Sequence, residues 1–150
     1  MYKRILVPVD GSRASGLGLD QAIKLAKDQE ATLFILHVVD IRVIAQSLGM
    51  GAAGSERLFT SLGNNGKQIL AKAEAQASRR RVAVKSILIE NNVRSVDTVI
   101  VAQAKKCRAD LIVIGTHGRR GLSRMVMGSD AEGVVRNAPV PVLLVRSKAR

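Results

Sequence analysis

Short apolar runs alternate with helix-like stretches along the whole chain, and this alternation constrains the fold more than any other feature of the sequence. The runs cover residues 5–9, 33–39, 82–89, 111–114 and 140–145. Four of them are nearly continuous in Val, Ile and Leu, as expected for strands that are covered on both faces. The third run alternates apolar and polar residues more regularly, which favours a position at the edge of a sheet.

Between these runs, apolar residues repeat with the spacing of a helix that buries one face. Such stripes cover residues 19–26, 96–104 and 131–138, and a longer, weaker one covers 56–79, where Gly63 and Gly66 interrupt it. Strand–helix alternation of this kind predicts an α/β fold, in which an open parallel sheet of five strands carries helices on both faces. The length of 150 residues predicts one domain, residues 1–150.

Three loops of this predicted fold lie where a ligand would bind. In open parallel sheets, ligands bind beyond the carboxyl ends of the strands, at the point where the strand order reverses. The loops at that edge are Asp10-Gly11-Ser12 after the first strand, the segment 37–40 at the end of the second, and residues 115–129 after the fourth.

The third of these loops, GTHGRRGLSRMVMGS, has the composition of a phosphate-binding loop. Glycine lets backbone amides approach an anion without an intervening Cβ. The amides of Gly128 and Ser129 would open the following helix, whose N-terminus attracts phosphate. Arg119, Arg120 and Arg124 add positive charge. The spacing of the glycines and the serine is Gly115-x₂-Gly118-x₉-Gly128-Ser129.

Each residue also has a purely structural interpretation, and the sequence leaves both open. Gly115 would relieve crowding, Ser129 would cap a helix, and the arginines would be solvated. Asp10 would hold a turn before Gly11. His117 would either bind a phosphate oxygen and shuttle a proton, or lie exposed without a role.

The balance of charge favours an anionic partner and leaves its class to be decided. The formal net charge is +12, of which residues 79–150 carry +10. The only aromatic residues are Tyr2, Phe34 and Phe59, which supply no platform for stacking bases, so a nucleic-acid partner is not favoured. No apolar run reaches the roughly 18 residues of a membrane span. The absence of a signal-like N-terminus and the single Cys107 indicate a cytoplasmic protein without a disulfide.

The chain resembles the universal stress protein family over nearly all of its length, on motifs that are specific in combination. These are ILVPVDGS at 5–12, LHVVD at 36–40, ADLIVIGTHGRRGLSR at 109–124, MGSDAE at 127–132 and APVPVLLVR at 138–146. The glycine spacing given above matches the ATP-binding branch of the family; the other branch lacks it. The resemblance therefore implies a universal stress protein that binds ATP and acts in stress survival as a nucleotide-dependent sensor or regulator.

The resemblance also implies an architecture and roles for individual residues. It implies the strand order 3-2-1-4-5 of an adenine nucleotide alpha hydrolase-like fold, a homodimer joined through residues 140–145, and ATP accompanied by Mg²⁺ or Mn²⁺. Asp10 would lie near the nucleotide and the metal, and the backbone of Val38 would read the adenine edge. The positions around the ribose and phosphates are Gly115, Gly118, Gly128 and Ser129, with Arg119 beside them.

Two further expectations concern affinity and turnover. Asp130 stands where many relatives have an apolar residue, so ATP binding survives if its carboxylate points outward or helps to hold a metal, and weakens if it points inward. No catalytic constellation is evident, so binding with at most slow hydrolysis is expected. The alternatives are a slow ATPase or phosphohydrolase that uses Asp10 or His117, and a basic interaction module that ignores ATP.

Overall fold

The structure, a computed structural model, describes residues 1–41, 52–91, 93–116 and 127–146, along which strands and helices alternate as predicted. The strands are β1 (Arg4–Pro8), β2 (Thr32–Asp40), β3 (Val84–Asn91), β4 (Leu111–Gly115) and β5 (Val142–Val145). The helices that concern us are α1 (Arg13–Asp28), α2 (Ala52–Arg79), α3 (Val96–Lys106) and α4 (Ser129–Asn137).

The five strands form one parallel sheet in the order β3-β2-β1-β4-β5. This confirms the predicted α/β class, the parallel pairing and the strand order that the resemblance implied. It also confirms the edge position of β3, whose alternating pattern differs from the continuous apolar runs of its neighbours. Because every strand runs in the same direction, the loops that follow them meet at one edge of the sheet, here called the carboxyl edge.

Helices cover both faces of the sheet, and each pair of helices closes its own apolar layer. Helices α1 and α2 pack on one face, where Leu19, Ile23 and Leu70 meet Val7 and Ile35. Helices α3 and α4 pack on the other face against the alternate strand residues. The buried strand side chains are almost all aliphatic, which is what burial on both faces requires.

Gly63 and Gly66, inside α2, have a packing role that periodicity did not indicate. A Cβ on Gly66 would lie 2.8 Å from Cδ2 of His37 and 3.0 Å from Cδ1 of Leu88, and a Cβ on Gly63 would lie 3.2 Å from Oε1 of Glu90. These glycines therefore let α2 lie close to the ends of β2 and β3. The helix begins at Ala52, four residues before the predicted start at 56.

Strand β5 ends the sheet opposite β3, and among the described residues no strand pairs with its outer side. Its residues are only partly covered, and Leu144 is 36% exposed. An apolar strand at the edge of a sheet is prone to pair with another chain unless it is covered. Within the part of the chain that the structure describes, no helix is long and apolar enough to cross a membrane.

Candidate nucleotide site

The predicted site residues that the structure describes lie at the carboxyl edge, on both sides of the boundary between β1 and β4. Asp10 follows β1, Val38 lies near the end of β2, and Gly115 ends β4. Ser129 begins α4. The chain reverses its direction of winding between β1 and β4, because β2 and β3 extend the sheet one way and β4 and β5 the other. This is the position at which such sheets bind ligands.

Asp10 holds the turn between β1 and α1. Its Oδ1 accepts a hydrogen bond from the Ser12 amide at 2.9 Å, and Gly11 between them has φ of 80°. This is the arrangement in which an Asp side chain closes a short loop on its own backbone. The structural interpretation of Asp10 is therefore confirmed, and its carboxylate is half-buried at the carboxyl edge. Its proximity to a nucleotide and metal stays a prediction.

Two serines make the start of α1 rigid. Ser12 caps the helix, since its Oγ accepts from the Ser15 amide at 3.2 Å. The buried Ser15 hydroxyl donates to the Ser12 carbonyl at 3.0 Å and accepts from the Asp10 amide at 3.3 Å. Sequence reasoning missed the part that Ser15 plays, although the Asp-Gly-Ser-x-x-Ser spacing contains the capping signal. The loop therefore presents Asp10 from a fixed backbone.

Gly115 is required by packing at this edge. A Cβ there would lie 2.5 Å from the carbonyl oxygen of Ala14 and 3.1 Å from the amide nitrogen of Ser15. The first turn of α1 thus crosses the end of β4 at a distance that only glycine permits. The interpretation of Gly115 as relief of crowding is confirmed, and close approach of a ligand is no longer needed to explain a glycine here.

The segment that enters α4 is tied to the sheet through backbone bonds. Gly128 donates its amide to the Thr116 carbonyl at 2.7 Å, and the Thr116 amide donates to the Val145 carbonyl at 3.0 Å. This corrects the prediction for the Gly128 amide, which is bonded to its own chain and does not face a ligand. Thr116, which is buried, was not singled out from the sequence.

Helix α4 nevertheless begins with backbone donors at the carboxyl edge. Its first intrahelical bond joins the Glu132 amide to the Gly128 carbonyl at 3.0 Å, and no side chain caps it. The amides of Ser129 and Ala131 precede that bond, and amides in these positions find no partner within a helix. The start of α4 therefore has the polarity that favours an anion, although the amides involved begin one residue later than predicted.

Asp130, the residue that departs from the family pattern, lies exposed in the first turn of α4. A carboxylate in a first turn is favoured by the positive end of the helix.

The backbone of Val38 is oriented toward the space beyond β1. In a parallel strand, alternate residues direct both backbone groups to the same neighbour. Thr32 donates to the Lys3 carbonyl and Leu36 accepts from the Val9 amide, so the even-numbered residues of β2 face β1. Strand β1 ends at Pro8, and Val38 lies beyond that end. The adenine role of Val38 stays a prediction.

His37 fastens the ends of β1 and β2 to each other. It is buried, and its Nδ1 lies 2.7 Å from the Val9 carbonyl oxygen. Because a carbonyl can only accept, Nδ1 carries the proton. From the sequence, the position of His37 between apolar strand residues predicts a packed side chain bonded to backbone, and the structure confirms this.

Several predicted site residues fall outside the described part of the chain, among them Gly118, Arg119 and His117. Among the described residues, no three His, Cys, Asp or Glu side chains are grouped so that they could hold a metal ion.

Comparison with known proteins gives the chain its family. The profile of the universal stress protein family matches residues 1–146. The chain belongs to the universal stress protein family. Universal stress protein MJ0531 of Methanocaldococcus jannaschii is 37% identical over 147 residues, which cover 97% of this chain and 83% of that protein. Universal stress protein YxiE of Bacillus subtilis is 33% identical over 151 residues, covering 97% and 100%.

Solved structures of universal stress proteins share the fold described above, which is adenine nucleotide alpha hydrolase-like. A family member from Burkholderia pseudomallei superposes with a TM-score of 0.78 at 32% identity, covering 97% of each chain.

Three more distant structures of this fold contain adenine nucleotides. One universal stress protein is in complex with cAMP (22% identity, TM-score 0.67, 98% of each chain). An Arabidopsis thaliana family protein has AMP bound (17%, 0.71, 98% and 93%). The protein from Archaeoglobus fulgidus is in complex with dAMP (21%, 0.67, 95% and 97%). At these identities the likeness is one of fold.

Proposed function

We propose that residues 1–150 act as one universal stress protein domain that binds an adenine nucleotide, with ATP as the principal ligand, at the carboxyl edge between β1 and β4. The observation that carries the proposal is the meeting of three groups at that edge: the Asp10 carboxylate, the backbone of Val38 beyond the end of β1, and the donor-rich start of α4. Distant proteins of the same fold bind cAMP, AMP and dAMP, which belong to the proposed class of ligand, the adenine nucleotides.

Each part of the nucleotide would meet a different strand end. The adenine edge would bond to the backbone of Val38, and Gly115 would let the ribose lie over the end of β4. The triphosphate would run toward α4, where the Ser129 amide and hydroxyl meet it at the positive end of the helix. Gly118, Arg119 and Gly128 complete the proposed set through the family motif, with Gly128 serving as the residue that positions the helix start.

Asp10 would hold the metal that accompanies the phosphates. Its Oδ1 accepts a hydrogen bond from the Ser12 amide, which fixes the carboxylate at the carboxyl edge. Mg²⁺ or Mn²⁺ bound there would neutralise phosphate charge. A carboxylate oriented by a backbone amide has the hardness and the fixed direction that these ions prefer.

The proposed role of this site is regulation in the cytoplasm during stress. Asp10 is engaged in the turn and His37 in a strand-to-strand bond, so both act in positioning. Fast phosphoryl transfer would need a water held in line with the γ-phosphate and a base beside it. Binding that reports the nucleotide state is the function which this arrangement favours.

Calorimetry on nucleotide-free protein tests the proposal, and Asp10→Asn makes the test specific. The variant keeps an oxygen that accepts from the Ser12 amide, so the turn is preserved, but it removes the charge. We expect ATP to bind the original protein with Mg²⁺ present and the variant to bind about tenfold more weakly, the scale of one charge-assisted contact. Asp20→Asn on the exposed side of α1 is the matched control and should bind as the original does. Absence of binding at about 1 mM ATP refutes the proposal.

We also propose that two copies join through β5 as a homodimer. The exposed Leu144 and the outer side of β5, which no other described strand pairs with, support that arrangement, because pairing across a two-fold axis would cover both. Light scattering at micromolar concentration should give twice the 16.1 kDa mass of one chain. Leu144→Lys should give the single mass, whereas Val93→Lys, at an exposed loop residue, should not. A single mass for the original protein contradicts the dimer.

A further inference from the structure

The end of the sheet opposite the proposed nucleotide site carries a concentration of positive charge. We call this the amino edge and define it as residues 3–4, 27–30, 79–81 and 105–110, which precede or join the starts of β1, β2, β3 and β4. These ranges contain nine Lys or Arg residues and three Asp or Glu residues, a net charge of +6 out of +12 for the whole chain. All nine cationic residues are exposed.

Three helices end at the amino edge with the same backbone motif. Glu30 after α1, Arg81 after α2 and Arg108 after α3 have φ of 51°, 59° and 52°. At each end the residue with positive φ donates to a carbonyl three residues earlier, and the next residue donates to a carbonyl five residues earlier. This is the Schellman arrangement, in which the residue past the helix end adopts the left-handed conformation.

Glycine is the residue usually found at that position, because a Cβ is disfavoured there. In this chain two of the three positions are arginine. Cations in the last turn of a helix, such as Lys105, are explained by the negative end of the helix dipole. The helix dipole does not explain why arginine replaces glycine at 81 and 108, two residues past the last residues of α2 and α3. Arg81 and Arg108 thus place two positive charges at the amino edge in a conformation that carries a cost.

The sheet and the helix ends set the backbone positions of these cations. Arg81 and Arg108 precede β3 and β4, which lie three places apart in the sheet, about 14 Å at ordinary strand spacing. Arg4 lies next to Arg108, because its Nε donates to the Arg108 carbonyl at 2.7 Å. The nearby Asp110 carboxylate accepts the amides of Lys3 and Arg4 at 2.8 and 3.1 Å, so its charge is engaged by the backbone.

We propose that the amino edge binds the phosphate backbone of double-stranded nucleic acid without reading its sequence. Spaced, exposed cations on a rigid edge suit a regular line of phosphates, and a sequence pI of about 10.9 agrees with such a partner. Tyr2 is the aromatic residue near this edge, and it is partly buried against the core, so a single strand would find no surface for stacking. The small number of aromatic residues disfavours partners that stack bases, but binding to the backbone of a duplex does not need stacking.

The three left-handed positions provide a matched set of variants. Replacing arginine by glycine at 81 and 108 removes two charges and relieves the backbone, so Tm should rise while binding weakens. Glu30→Gly relieves the same conformation and removes a negative charge, so Tm should rise and binding should strengthen. A merely structural role for these residues would move Tm alone.

Fluorescence anisotropy with a labelled 20-base-pair duplex, measured from 50 to 200 mM salt, is the test. We expect the original protein to bind, and R81G/R108G to bind more weakly with a salt slope reduced by about 2, one for each lost phosphate contact. Asp10→Asn should bind the duplex as the original does, since the two edges are independent. An unchanged slope in R81G/R108G overturns the proposal, as does equal binding of polyglutamate or of a single strand.

Discussion

Gly115→Ala is expected to lower the free energy of unfolding by about 2–3 kcal/mol, the upper part of the range for an overpacked site. The added Cβ would lie 2.5 Å from the Ala14 carbonyl oxygen and 3.1 Å from the Ser15 amide nitrogen. Both are backbone atoms, so no rotation of a side chain can make room. The first turn of α1 or the end of β4 has to move. Urea unfolding followed by circular dichroism measures the loss.

Gly16→Ala is the control for this variant, because it adds the same methyl group to the first turn of α1, two residues after Ala14. Nothing lies within 4 Å of the Cβ that it would add. A glycine inside a helix costs roughly 0.5–1 kcal/mol relative to alanine, so this variant should be as stable as the original or more so. Equal stability of the two variants would show that α1 does not press on β4 as described.

Gly115→Ala also distinguishes a role of Gly115 in packing from a role in ligand binding. If the displaced element is α1, the Asp10 turn moves with it, because Ser15 bonds to both Asp10 and Ser12. ATP affinity should then fall together with stability. A glycine that served the ligand alone would leave stability unchanged.

The fold class could be predicted because it depends on local patterns of apolar residues. Continuous aliphatic runs such as 33–39 predict strands buried on both faces, and the structure has β2 there, between β1 and β3. The regular alternation in the third run predicted an edge and was right. Parallel pairing follows from the helices between the strands. The strand order could not be obtained in this way and came from the family resemblance.

The site was harder to predict, because a glycine looks the same in a sequence whatever it makes room for. Gly115 makes room for the Ala14 carbonyl, and Gly66 for the ring of His37. Gly128 uses its amide to bond Thr116, a residue twelve positions away along the chain and adjacent in space. Contacts of this kind depend on how elements cross, and periodicity within one element does not report a crossing.

Backbone strain at the amino edge was likewise hidden from the sequence. The three arginines at 79–81 look like a solvated helix end, and nothing in their identity distinguishes the third from the first two. Only the backbone shows that Arg81 occupies the position where a helix usually has glycine. Arg108 and Glu30 occupy the same position after their helices, so the three residues can be compared directly in variants.

The second large effect is expected from Gly133→Ala in α4. The added Cβ would lie 2.6 Å from Cγ and 2.8 Å from Cβ of Asp97, in the first turn of α3. Rotation of Asp97 can move its carboxylate away but cannot move its own Cβ, so the two helices must separate. We expect a net loss of about 2 kcal/mol, after the gain in helix propensity from alanine.

The consequence of this change for function follows from the position of Gly133 in α4. The helix is nine residues long, and its start provides the amides proposed to meet the phosphates. Shifting it should weaken ATP binding as well as stability. Asp97→Gly in the Gly133→Ala background removes the atoms that clash, so the double variant should recover most of both losses, as denaturation and calorimetry would measure. If Asp97→Gly fails to restore stability, Gly133 is needed for a reason other than its contact with α3. The crossing of α3 and α4 would then not determine the position of the phosphate end of the site.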